Sequence, residues 1–250
     1  MTVQTFPITA GLISMLLSVQ AVASCDVEAG PGVNWAGCDK QGVDLSGKDL
    51  SGMVFSEADL QGAVFAEADL SDTDFYSADI RGASFNEARM TSSKLVGVEA
   101  EAADFSGARL DYASFSRAQL KAANFADARL DHSNFYEARL SGTVFSGARL
   151  DHARMQRSRA SGADFSMADM EHASLDGGRF DGAIFDKAEL VRAHLDRTDL
   201  REASFVAANL SKASLRESDT EDAEFKDAIL TDTIWPDYRR CRRGSVGECR

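Results

Sequence analysis

A chain of 250 residues with a formal net charge of -13 argues against direct binding to nucleic acid, which uses Lys and Arg to displace the counterions around phosphate. An acidic surface favours solubility, cationic partners, or competition with nucleic acid for a basic surface. Length alone suggests one or two globular domains, but the placement of the apolar residues overrides that expectation.

Residues 1–24, MTVQTFPITAGLISMLLSVQAVAS, carry no charged side chain. Gly11 to Val19 is a short apolar run, and Ala21-Val22-Ala23 is a small-residue cleavage site of A-x-A type. A basic residue near the start is missing. The run is shorter than the ~20 residues of a membrane helix, so this segment is predicted to be a cleaved export signal and no membrane span is expected.

The four cysteines flank the regular part of the chain, Cys25 and Cys38 before it, Cys241 and Cys249 after it. An even count in an exported chain suggests disulfides, and four cysteines allow three pairings. If the region between them forms a rod, its ends are far apart, whereas bridged Cα atoms lie within ~7 Å. Cys25–Cys38 and Cys241–Cys249 are then the pairs. The alternative is that Val22-Ala23-Ser24-Cys25 is a lipobox, which would lipidate Cys25 and leave Cys38 unpaired.

From Val43 to Trp235 a bulky apolar residue recurs every five positions without insertion or deletion: Leu45, Leu50, Phe55, Leu60, Phe65, and on to Leu230 and Trp235. A small residue stands two before each, as in Ala58, Ala63 and Ala68. An unbroken fixed period marks a solenoid, which is one continuous domain. No helix repeats at five and a plain strand repeats at two. One large and one small inward residue fit a short strand followed by a turn, with turn residues such as Ser51-Gly52, Gln61-Gly62 and Ser141-Gly142. Pro7, Pro31 and Pro236 all lie outside the array, where no ladder donor is lost.

These units resemble the pentapeptide-repeat family, whose unit is often written A-(D/N)-L-x-x. Matching stretches are Ala58-Asp59-Leu60, Ala68-Asp69-Leu70, Ala123-Asn124-Phe125 and Ala208-Asn209-Leu210. The resemblance implies an all-β, right-handed quadrilateral β-helix with four pentads per coil. Columns twenty residues apart agree with such a coil: Phe65, Phe85, Phe105 and onward to Phe225, and Leu50, Leu70, Met90 and onward to Leu230. About ten coils at the ~4.8 Å spacing of neighbouring strands give a rod of about 50 Å.

Trp35 and Trp235 share one face at opposite ends of the array, each beside a cysteine loop. Open solenoid ends need covering, so residues 25–42 and 236–250 are read as caps, each with its disulfide. The endings resemble those of exported family members, which implies a stapled, self-contained rod. Ala100, Ala160 and Thr220 replace the bulky residue on one face. Local packing adjustment, with Phe180 as a filler, is expected there rather than a ligand cavity.

On the outside, Arg89, Arg109, Arg129 and Arg149 form one column, with Asp111, Asp131 and Asp151 two residues beyond its last three members. Exposed pairs contribute only ~0–1 kcal/mol, and the stripe is read as a solvated charge ladder. His132, His152 and His172 share another column, preceded by Asp131, Asp151 and Glu171. Imidazoles beside carboxylates are candidate zinc or copper ligands. A flat column offers two ligands more readily than a tetrahedral set, however, and no metal is predicted. Asp44 to Asp79 is strongly acidic and the tail holds Arg239, Arg240, Arg242, Arg243 and Arg250.

No Walker loop, HExxH or CxxC pair occurs, so neither catalytic residues nor a cofactor is predicted. The favoured reading is a non-enzymatic β-helical scaffold or protein-interaction module of the bacterial envelope. It would be periplasmic or secreted, with an unidentified protein partner and no direct nucleic-acid binding. One alternative comes from the resemblance to cytosolic family members: a DNA-mimicking protector of DNA gyrase. The predicted export signal, the cysteine caps and the arginine columns speak against it. The other alternative is an envelope protein that binds metal through the His column.

Overall fold

The structure, a computed structural model, describes residues 23–250; residues 1–22, most of the segment read as an export signal, lie outside the described residues. The pentads share one backbone course, and apart from the first coils, where Lys48 stands exposed at the small position, their side chains do too. Ser56 and Glu57 form a turn, Ala58 points inward, Asp59 bridges to the next coil, and Leu60 points inward again. Each bridge is parallel and joins residues twenty apart, from Asn34 with Val54 to Ser214 with Ile234. The chain is therefore a β-helical solenoid.

The backbone hydrogen bonds explain why the unit has five residues. Ala58 N–H donates to Phe55 O (3.0 Å) and closes the turn; Glu57 N–H donates to Tyr76 O (2.8 Å) and Leu60 N–H to Asp79 O (2.7 Å) in the following coil. Asp59 N–H donates backwards to Cys38 O (2.9 Å). The amide left over is that of the first turn residue, and a side chain takes it. Asp74 Oδ1 accepts from Tyr76 N–H at 2.9 Å and Asn124 Oδ1 from Ala126 N–H at 3.1 Å. This is why Asp or Asn recurs at the bridging position: an Asx turn completes the accounting of backbone donors.

The second turn residue is left-handed, with φ 65° at Gly52 but also 59° at Glu57 and 60° at His132. That conformation costs a non-glycine residue about 1–2 kcal/mol. It persists because the same residue's N–H is held by the adjacent coil.

Inside, Phe85 and Phe105 lie 4.8 Å apart with planes at 6°, and Phe105 and Phe125 4.7 Å apart at 4°. Strand spacing dictates that stack. Neighbouring columns meet edge to face, as in Phe105–Phe115 at 86°. Each fully buried Phe or Leu contributes about 1.5–3 kcal/mol. Phe180 departs from this order, tilted 49° from Phe165 and 44° from Phe185. An alanine at Gly178 would place its Cβ 2.6 Å from Phe180 Cε2, so the missing methyl makes room for the larger ring.

At the first end, Cys25 and Cys38 are bridged with Cα atoms 5.5 Å apart. Trp35 Nε1–H donates to Val27 O at 3.0 Å, and its ring meets Phe55 edge-on at 6.1 Å. At the other end the chain reverses and adds antiparallel bridges, Ile234 with Arg240 and Ile229 with Val246. Cys241 and Cys249 are bridged there (Cα–Cα 4.7 Å), and Trp235 packs on Phe225 at 5.0 Å. Leu230 N–H, which has no further coil to meet, donates to Ser245 O at 2.9 Å.

Candidate functional site

Much of the acidity is part of the turn architecture. Asp44 accepts both the hydroxyl and the amide of Ser46, which holds its carboxyl below the usual range, and Ser51 does the same for Asp49. Two surface clusters remain that the turns do not require.

The first contains the histidines. Tyr112 stacks on His132 (5.0 Å), His132 lies over His152 (5.0 Å, tilted 31°), and His152 stacks on His172 (4.5 Å). All are second turn residues with φ between 55° and 62°, so the ladder fixes their spacing. His152 N–H donates to Glu171 O (2.9 Å) and His172 N–H to Val191 O (3.0 Å).

Their neighbouring carboxylates are not equivalent. Asp111 is paired with Arg129 (3.7 Å) and Asp131 with Arg149 (2.9 Å). The residue that would serve Asp151 in the same way is Asp169, an acid in place of arginine. Asp151 Oδ1 instead meets His152 Nδ1 at 2.8 Å and His172 Nδ1 at 3.3 Å. Burial raises the Asp151 pKa, but the two imidazole contacts outweigh it and the net direction is down. Asp151, His152 and His172 present three ligand atoms within 4.8 Å of one another. The column expected from the sequence is thus brought together, and a carboxylate joins two of its members.

The second cluster is basic. Arg139 bridges to Arg159 and Arg159 to Arg179, while Arg157 and Arg197 occupy the adjoining turns with φ 57° and 55°. Gly177 separates those two turns and leaves an open depression of about 320 Å³ lined by Arg157, Arg159, Gly178, Arg179 and Arg197, with Asp199 as its one carboxylate. Arg157 reaches Glu137 (3.9 Å) and Tyr136 Oη (3.1 Å), and Arg179 lies 4.0 Å from Asp199. Among the described residues, Arg139, Arg159 and Arg197 have no carboxylate within 4.0 Å. Five guanidinium groups concentrated on one stretch of an acidic rod suit planar, bidentate recognition of acidic groups. Sequence reasoning missed this face, although residues 139, 159 and 179 obey the same twenty-residue rule that revealed the histidines.

The basic tail is partly neutralised. Arg239 pairs with Asp237 (2.7 Å), Arg243 with Asp232 (3.9 Å) and Arg250 with Glu248 (3.7 Å). Among the described residues no helix is long and apolar enough to cross a membrane.

Two family profiles match: the pentapeptide repeat region over residues 108–184, and pentapeptide repeats (8 copies) over residues 36–72, 54–91, 68–107 and 203–234. Among solved structures the chain is similar to HetL, a pentapeptide repeat protein involved in heterocyst differentiation regulation from the cyanobacterium Nostoc sp. strain PCC 7120. Identity is 29% and the TM-score 0.56, over 80% of this chain and 92% of HetL. A pentapeptide repeat protein from the Arabidopsis thaliana thylakoid lumen matches at 23% identity and TM-score 0.39, over 44% of this chain and 81% of its own. QnrB1, a plasmid-mediated fluoroquinolone resistance protein, matches at 17% identity and TM-score 0.39, over 74% and 90%. No curated protein sequence matches.

Proposed function

The chain belongs to the pentapeptide-repeat family, and from that premise we propose that it is an exported, non-enzymatic interaction scaffold of the bacterial envelope. Its body is a right-handed, four-sided β-helix of about ten coils. Residues 1–24 are removed on export, and residues 25–42 and 236–250 cap the two ends. The rod presents the arginine face to an acidic region of a protein partner.

The observation that carries the interaction reading is the cluster of Arg157, Arg159, Arg179 and Arg197, extended through Arg139 on the coil before, on a chain of net charge -13. Like charges so close repel one another, and an acidic partner relieves that repulsion while steering encounter. Export is supported by the two disulfides, since such bonds persist in oxidising compartments. The same arginines weaken the gyrase-protecting alternative, because mimicry of a nucleic-acid backbone calls for uninterrupted negative charge.

Fractionation of a bacterial host expressing the full chain tests export. Protein recovered by osmotic shock, starting near Cys25 and without reactive thiols, is the expected result. A cytoplasmic, uncleaved chain with four reactive thiols would overturn it.

A further inference from the structure

We propose that Asp151, His152 and His172 form a surface site for a single borderline divalent transition ion, Cu2+ or Zn2+, with water completing the coordination. The assignment is independent of the scaffold reading and of export.

Two imidazoles and a carboxylate are ligands of the right softness for such ions, and the same set suits neither Ca2+ nor Mg2+, which require mainly oxygen. A tetrahedral ion with bonds of about 2.0–2.1 Å holds its ligand atoms about 3.3 Å apart. Asp151 Oδ1 already stands 3.3 Å from His172 Nδ1 and 2.8 Å from His152 Nδ1. The second separation must widen by a fraction of an ångström, and the two Nδ1 atoms, within 4.8 Å of each other, must settle at the same spacing. The Nδ1···Oδ1 contacts are then exchanged for metal bonds: Nδ1 must be bare to coordinate, so a neutral imidazole holds its one hydrogen on Nε2 in the complex and an imidazolium releases its Nδ1 proton to water.

The placement is built in rather than accidental to flexible side chains. Both histidines sit on turns pinned by backbone hydrogen bonds to the next coil, so binding need order only their side chains, which already stack on one another at 4.5 Å. The substitution of Asp169 for the arginine of the preceding motifs removes the cation that would otherwise occupy Asp151. His132 lies outside the site, since its neighbouring Asp131 is engaged by Arg149 at 2.9 Å.

Calorimetric titration of the full chain with Zn2+ alone and Cu2+ alone tests the assignment. One ion per chain is expected, bound more tightly for Cu2+ than for Zn2+, with no response to Ca2+. Losing a direct ligand costs at least as much as losing an outer partner, so His152→Ala and His172→Ala are each expected to weaken binding about tenfold or more. Asp151→Asn is expected to weaken it as well, and His132→Ala to leave it within about twofold. Circular dichroism of each variant checks that the solenoid is intact. Wild-type affinity in the His152→Ala or His172→Ala variant would overturn the proposal, as would a loss in His132→Ala equal to theirs.

Discussion

Phe180 occupies the space that a side chain at Gly178 would need, its Cε2 lying 2.6 Å from where an alanine Cβ would stand. The inward small position is elsewhere mostly alanine, so this pentad exchanges a methyl for a larger ring in the column of Leu140, Ala160 and Leu200. Gly178→Ala is expected to destabilise the protein by about 1–3 kcal/mol through overpacking. Combined with Phe180→Leu, most of that loss is expected to disappear, because the two residues share one space. Thermal melts of the two single variants and the double variant measure the coupling, and strict additivity would refute the packing argument.

The small inward position also tolerates hydroxyls, but not equally. Thr143 Oγ1 donates to Leu120 O at 2.8 Å, whereas Ser133 Oγ is buried without a partner. An unpaired buried hydroxyl costs about 1–3 kcal/mol. Ser133→Ala is therefore expected to stabilise by about 1 kcal/mol, and Thr143→Val to destabilise by about as much. Urea denaturation of both variants checks the opposite signs.

The core was legible in the sequence because a period of five admits few structures, and columns twenty apart separated the phenylalanine stack from the Leu/Met stack. The reason for Asp and Asn in the repeat was not legible. It lies in one amide per pentad that only a short acceptor side chain reaches, as between Asp74 and Tyr76. The arginine face carries a weaker sequence signal: its column of Arg139, Arg159 and Arg179 is bounded by Gln119 and Asp199, Gly177 interrupts the neighbouring column of Arg157 and Arg197, and no repeated tetrapeptide marks either. The contact of Asp151 with two histidines depends on side-chain direction. Its one sequence signal is the change from Ala148-Arg149-Leu150-Asp151 to Ala168-Asp169-Met170-Glu171.

Asp199 offers a pH test. Hydrogen bonding from Arg201 (2.9 and 2.8 Å) is the main cause holding its carboxyl below the ordinary 3.8, against the opposing effect of burial. A carboxylate with a depressed folded-state pKa stabilises above its unfolded value and loses that contribution as pH falls through the folded one. Arg201 is half exposed, so solvent screening limits the effect to about 1 kcal/mol or less. The stability difference between wild type and Asp199→Asn is expected to be largest above about pH 5 and to shrink towards pH 3. A difference that grows on acidification would contradict the assignment.

Trp35 lies within the Cys25–Cys38 loop, and Trp235 starts the turn that leads into the segment closed by Cys241–Cys249, its N–H donating to Arg239 O at 2.7 Å. Reduction is expected to lower stability by about 2–5 kcal/mol if both bridges restrain the unfolded ends as such bonds usually do. A red shift of tryptophan emission at denaturant concentrations that leave the oxidised protein unchanged is the expected signal. Superimposable oxidised and reduced curves would show that the tails hold without their bridges.

The most direct test of the interaction scaffold is site-specific photo-cross-linking from position 137, the exposed glutamate beside Arg157, in intact cells producing the full chain. The expected result is an adduct with one acidic envelope protein, abolished when Arg139, Arg159 and Arg179 are each replaced by glutamate in a variant whose circular dichroism is unchanged. An adduct that survives this charge reversal, or one formed with a cytoplasmic protein, would contradict the account.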